Sequence, residues 1–179
     1  MRKVLIAFIA LGWLFSACHK EEAPALPTTP LPNAWEGPQS YGWVKGSRDG
    51  QDWIGSSNAS LENADGTQVG FAFHTFDADT MFIEELGFVR IPLKVGKYWL
   101  TNSATSLQSI YWIGYFDETD AFYEVENNSN SYLWIDSYDP ATKLITGRFQ
   151  AFYEKTRNTL FNYPEFVNFT DGTFSVKLY

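Results

Sequence analysis

The chain has 179 residues, of which 13 are basic and 21 acidic, giving a formal charge of −8 at pH 7. Acidity of this size argues against nucleic-acid binding and against docking by charge onto anionic lipid. A single cysteine excludes an internal disulfide framework.

Arg2 and Lys3 open the chain, and an apolar run from Val4 to Ala17 follows, too short to cross a bilayer as a helix. Ser16 and Ala17 are small, and Cys18 comes next. Residues 1–17 therefore read as a lipoprotein signal peptide, with Cys18 becoming the lipidated first residue; Phe15 stands where such sites usually carry leucine. The alternative is an ordinary secretory signal with an incidental cysteine, but lipidation accounts for a lone exported cysteine without a partner. Two or more acyl chains give stable attachment where one is marginal.

Lys20, Glu21 and Glu22 follow the cysteine and resemble the surface-export signal of Bacteroidota lipoproteins; the alternative is a solvated charged tether. The resemblance implies an outer-membrane protein facing the cell exterior. Loss of Arg2 and Lys3 with the signal leaves 11 basic against 21 acidic residues. Residues 18–40 form the lipidated cysteine and a tether with Pro24, Pro27, Pro30, Pro32 and Pro38, a composition that favours extended polyproline geometry at ~3.1 Å per residue.

Residues 41–179 are long enough for one domain with its own core. Phe71 and Phe73 oppose Ala72 and His74; Leu133 and Ile135 oppose Tyr132 and Trp134; Phe174, Val176 and Leu178 oppose Thr173, Ser175 and Lys177. Period-two alternation of this kind predicts half-buried strands. Ser109–Phe116 and Leu144–Tyr153 are further β-rich runs, and Pro92 makes the run from Phe88 to Val95 an edge or bent strand. Asp-Gly pairs at 49–50, 65–66 and 171–172 predict hairpin turns, and Asp139-Pro140 begins another. Thr80–Leu86 is compatible with one helical turn. The fold expected is all-β: a single antiparallel β-sandwich or barrel of about eight to ten strands.

The order Asp49-Gly50-Gln51-Asp52-Trp53, Val95-Gly96-Lys97-Tyr98, Leu133-Trp134-Ile135-Asp136, Ile145-Thr146-Gly147-Arg148-Phe149 and Phe169-Thr170-Asp171-Gly172-Thr173-Phe174 resembles a Bacteroidota outer-membrane lipoprotein family of unknown function. That resemblance implies a C-terminal β-sandwich or lipocalin-like domain and carries no site residues.

Nothing in the domain reads as catalytic machinery. His74 is its one histidine, and the alternation turns it away from the core. One histidine and no cysteine speak against a zinc site. Adjacent carboxylates such as Glu84 and Glu85 point apart on a strand. Asp77 and Asp79, or Asp117, Glu118 and Asp120, offer loop oxygens without the spacing of a helix–loop–helix calcium site. No metal and no cofactor is expected.

The one strong excess is aromatic: 28 of the 139 domain residues. Ser109–Phe116 is apolar or aromatic on both faces, so it is either buried on both or presents an aromatic surface. Tyr111, Trp112, Tyr115, Tyr132 and Trp134 are the candidate contact residues. The function expected is non-catalytic: a surface-anchored lipoprotein binding a glycan or a neighbouring outer-membrane protein. The alternatives are a lipocalin-like carrier of a small apolar ligand and, last, a carboxylate-dependent hydrolase.

Overall fold

The computed structural model describes residues 41–76, 82–102, 108–115, 118–127, 129–158 and 161–179. Cys18, Lys20, Glu21 and Glu22 lie outside them, as do Asp77, Asp79, Phe116 and Asp117. Ten strands follow one another: β1 Gly42–Arg48, β2 Gln51–Leu61, β3 Gln68–Phe76, β4 Phe82–Pro92, β5 Gly96–Trp99, β6 Gln108–Tyr115, β7 Glu118–Val125, β8 Tyr132–Asp139, β9 Leu144–Asn158 and β10 Phe166–Lys177.

Every strand pairing is antiparallel, and β1, β2, β3, β4, β6, β7, β9 and β10 each pair on both sides, with β10 meeting both β1 and β9. These eight strands therefore close into a barrel, which removes from them the exposed edges that an open sheet would carry. β9, at 15 residues, takes two partners along one edge: β8 along residues 144–150 and β7 along 153–158. β5 pairs with β8 and ends the sheet there, so β8 and β5 extend the barrel wall outward from β9.

Turn chemistry sets the register at opposite ends of the sheet. Asp49 and Gly50 have φ of 50° and 80°, the positive values of a two-residue hairpin whose twist matches its strands. The Asp49 carboxylate accepts from the Asn168 N–H at 2.9 Å and ties this hairpin to β10. At the β8–β9 turn, Asp139 accepts from the Ala141 N–H at 2.9 Å and the Thr142 hydroxyl at 2.7 Å; these bonds hold its carboxyl below the usual range.

Two expectations from sequence are corrected. Asp171-Gly172 is not a hairpin turn but a bulge within β10, where Asp171 has φ of 52° and the pairing with β9 shifts. This bulge, like a tight turn, uses a residue in the left-handed region, which is why the dipeptide misleads. The helical turn proposed for Thr80–Leu86 is strand β4 from Phe82 onward; Thr80 lies outside the described residues. Pro92 does close a bent strand: Arg90, at φ 59°, marks the bend.

Phenylalanines fill the middle of the barrel. The Phe73 ring lies 5.3–6.2 Å, centre to centre, from Phe71, Phe88, Phe149 and Phe174. An eight-stranded barrel is just wide enough for side chains to fill, and among the described residues eleven of the domain's aromatic side chains are buried. Two glycines make room for it. Gly147 faces Phe174 across β9 and β10, and Gly172 faces Phe149. A Cβ on Gly147 would stand 2.4 Å from the Phe174 ring and 2.3 Å from the Trp134 carbonyl oxygen. Because one of those atoms is backbone, Gly147→Ala is expected to destabilise the fold by about 1–3 kcal/mol, read as a lower denaturant midpoint; an unchanged midpoint would show that the β8–β9 seam gives way freely.

Candidate functional site

Two arrangements stand out, one inside the barrel and one on its wall. Inside, Glu84 is buried near the end that carries the Asp49 hairpin. Its Oε1 accepts from the Trp53 indole N–H at 2.6 Å and the Thr75 hydroxyl at 2.7 Å. Its Oε2 accepts from Arg48 Nη1 at 2.6 Å and from the Tyr111 hydroxyl. Burial, with Glu84 beside it, pushes the Tyr111 phenol well above its ordinary range, so it stays protonated and donates. Burial alone would lower the Arg48 guanidinium, but Glu84 and Tyr111 outweigh it and raise the group further. Both carboxylate oxygens are thus committed to four fixed donors. This is a satisfied ion pair inside a polar network, not a carboxylate poised for acid–base work.

On the wall, alternation aims a set of large side chains outward. Leu133 and Ile135 of β8 and Gly147 and Phe149 of β9 face the interior, which turns Tyr132, Trp134 and Arg148 out. Cross-strand register then sets Trp134 between Lys97 of β5 and Arg148 of β9, and Tyr132 between Trp99 and Gln150. Lys97 Nζ lies 3.9 Å from the Tyr132 ring centre and 4.1 Å from that of Trp99. The Arg148 guanidinium lies 4.4 Å from the Trp134 ring and donates to Asp136 at 3.0 Å. Trp99 is 54% exposed.

The face continues past β9. Arg148 stands beside Thr173 of β10, Thr173 beside Lys45 of β1, and Lys45 beside Ile54 of β2. Lys45 Nζ is 5.1 Å from the ring of Trp43, which is 40% exposed. A parallel row runs Ser137, Thr146, Ser175, Trp43, Ser56. Rings, cations and hydroxyls thus alternate over β5, β8, β9, β10, β1 and β2. Amphipathic rings of this kind, each with a cation at its face, can stack on a ligand while neighbouring groups hydrogen-bond it.

The five residues singled out from sequence are not one site. Tyr132 and Trp134 face outward side by side, as the alternation indicated. Tyr111 is corrected as a surface contact: it is fully buried, and its hydroxyl belongs to the Glu84 network. Trp112 faces outward and is half-buried, but on β6, which pairs with β4 and β7 rather than with any strand of this face. The backbone of Tyr115 ends β6, and its side chain lies outside the described residues. Sequence reasoning missed Trp43, Lys45, Lys97, Trp99 and Arg148. Alternation around Val44 was available as a signal for the first two. The others become neighbours only through cross-strand register.

No known protein family, curated protein or solved structure gives a match to this chain.

Proposed function

We propose that this protein is a non-catalytic lipoprotein, held in the outer membrane through Cys18 and presenting a carbohydrate-binding face on its β-barrel to the cell exterior. Membership of the Bacteroidota family that it resembles is part of this reading. The observation that carries it is the outward set Trp43, Trp99, Tyr132 and Trp134, interleaved with short hydroxyl and amide side chains. A protein–protein interface gathers its apolar residues at a centre behind a polar rim. Here rings from β1, β5 and β8 stand beside hydrogen-bonding groups from β2, β9 and β10, which suits a sugar, with an apolar face and hydroxyls on every ring.

The test is binding of the full chain in detergent to a panel of polysaccharides, with Trp99→Ala and Trp134→Ala alongside. Each substitution is expected to weaken binding by about tenfold, as truncation of an aromatic contact does, while leaving the melting temperature nearly unchanged. A sharp drop in melting temperature with binding retained would make these rings packing residues and end the reading. Capture of an outer-membrane protein in place of any glycan would move the partner to the other class.

A further inference from the structure

The same face carries a charge pattern that aromatic stacking does not explain. Lys97, Trp134, Arg148, Thr173, Lys45 and Ile54 occupy one row in register across β5, β8, β9, β10, β1 and β2. Cations stand on every second strand. With adjacent strands ~4.8 Å apart, successive cations are spaced about 10 Å along the row. No acidic residue stands in the row; Asp136, further along β8, is engaged by Arg148. The chain as a whole is strongly acidic, at −8, so three cations in line run against its average charge.

Two ordinary explanations fall short. A lysine on an edge strand discourages sheet-to-sheet aggregation, which accounts for Lys97 on β5 but not for Arg148 and Lys45, whose strands pair on both sides. Neutralisation by internal ion pairs accounts for part of Arg148 alone. Each cation also sits at an aromatic ring, Lys97 at Tyr132 and Trp99, Arg148 at Trp134 and Lys45 at Trp43, which limits its freedom before any ligand arrives. The spacing is close to the screening length at physiological salt, so each charge acts as a separate anchor rather than as part of a pooled field.

Resting on the carbohydrate reading above, we infer that the ligand is an acidic polysaccharide lying across the strands. Its carboxylate or sulfate groups meet Lys97, Arg148 and Lys45 in turn, and its hydroxyls meet the row of Ser137, Thr146, Ser175 and Ser56. The ring of Trp134 supports the sugar between Lys97 and Arg148, and that of Trp43 supports it beside Lys45 on β1.

The experiment compares matched polymers on the full chain in detergent: polygalacturonate against its fully methyl-esterified form, and dextran sulfate against dextran, with single-stranded oligo(dT) as a polyanion without this backbone. The acidic member of at least one pair is expected to bind at least about tenfold more tightly than its neutral partner, and more tightly than oligo(dT). Lys45→Gln, Lys97→Gln and Arg148→Gln are each expected to lose about two- to fivefold, the range of a single exposed charge contact. The triple variant, with an unchanged circular-dichroism spectrum, is expected to lose more than any of the three.

Equal binding of neutral and acidic polymers, lost in Trp134→Ala and untouched by the Gln variants, would overturn the acidic ligand and leave the carbohydrate face standing. Acidic binding that survives the triple variant, or equal affinity for oligo(dT), would overturn it too. Binding of no polymer would remove both readings.

Discussion

Glu84→Ala is expected to lower the unfolding free energy by at least about 3–5 kcal/mol, because it leaves a buried guanidinium without its counter-charge. Arg48 is 8% exposed, and its Nη1 lies 2.6 Å from Glu84 Oε2. The loss does not stop there: Trp53 and Thr75 also donate to this carboxylate, and each buried donor left without an acceptor costs about 1–3 kcal/mol more unless water enters. Arg48→Met combined with Glu84→Leu should therefore recover part of the loss but not all of it, since the buried pair is removed together while Trp53, Thr75 and Tyr111 still lack an acceptor. Urea unfolding of the single and double variants separates these terms. A Glu84→Ala protein within about 1 kcal/mol of the parent would mean that this end of the barrel admits water readily, and the network would lose its structural role.

That network was only half legible. Adjacent glutamates at 84 and 85 had to point to opposite sides of a strand, and they do: Glu84 into the barrel and Glu85 out, where it meets His74 at 3.0 Å. Nothing local, however, shows that a glutamate is the inward one. Of the donors, Thr75 is the cross-strand partner of Glu84 on β3, while Arg48, Trp53 and Tyr111 come from β1, β2 and β6 and reach it only as the sheet curls. Tyr111 illustrates the same limit. In a run apolar on both faces, alternation pairs it with Ile113 but leaves open which pair is inside; closure decides, and the hydroxyl is satisfied inside by Glu84.

Where one face was polar, as in Phe71–His74 or Thr173–Leu178, side-chain direction was read correctly. The outer face shows what pattern alone misses. β5 has four residues, too few for periodicity to register, yet it supplies Lys97 and Trp99. Arg148 is a neighbour of Trp134 through register alone. The bulge at Asp171 was misread because its sequence signal is a turn's signal, and only the continued pairing of Gly172 with Phe149 tells them apart.

Phe73→Ala is expected to destabilise the barrel by about 3–5 kcal/mol, the range for removing a fully buried phenylalanine. Phe73 has no exposure, and its four ring neighbours come from its own strand and from β4, β9 and β10. These are walls of a closed barrel, so collapse into the gap would have to move paired strands, and the upper part of the range is the expected one. The variant also tests whether the interior carries a ligand. A lipocalin-like carrier needs room at this level, and in this barrel Phe73 and its neighbours occupy it. An apolar cavity opened by Phe73→Ala should stay dry and take up benzene, so benzene should raise the melting temperature of the variant and leave that of the parent unchanged. Stabilisation of the parent by benzene to the same degree would mean that the interior already accepts apolar guests, and the binding function would then belong inside the barrel rather than on its wall.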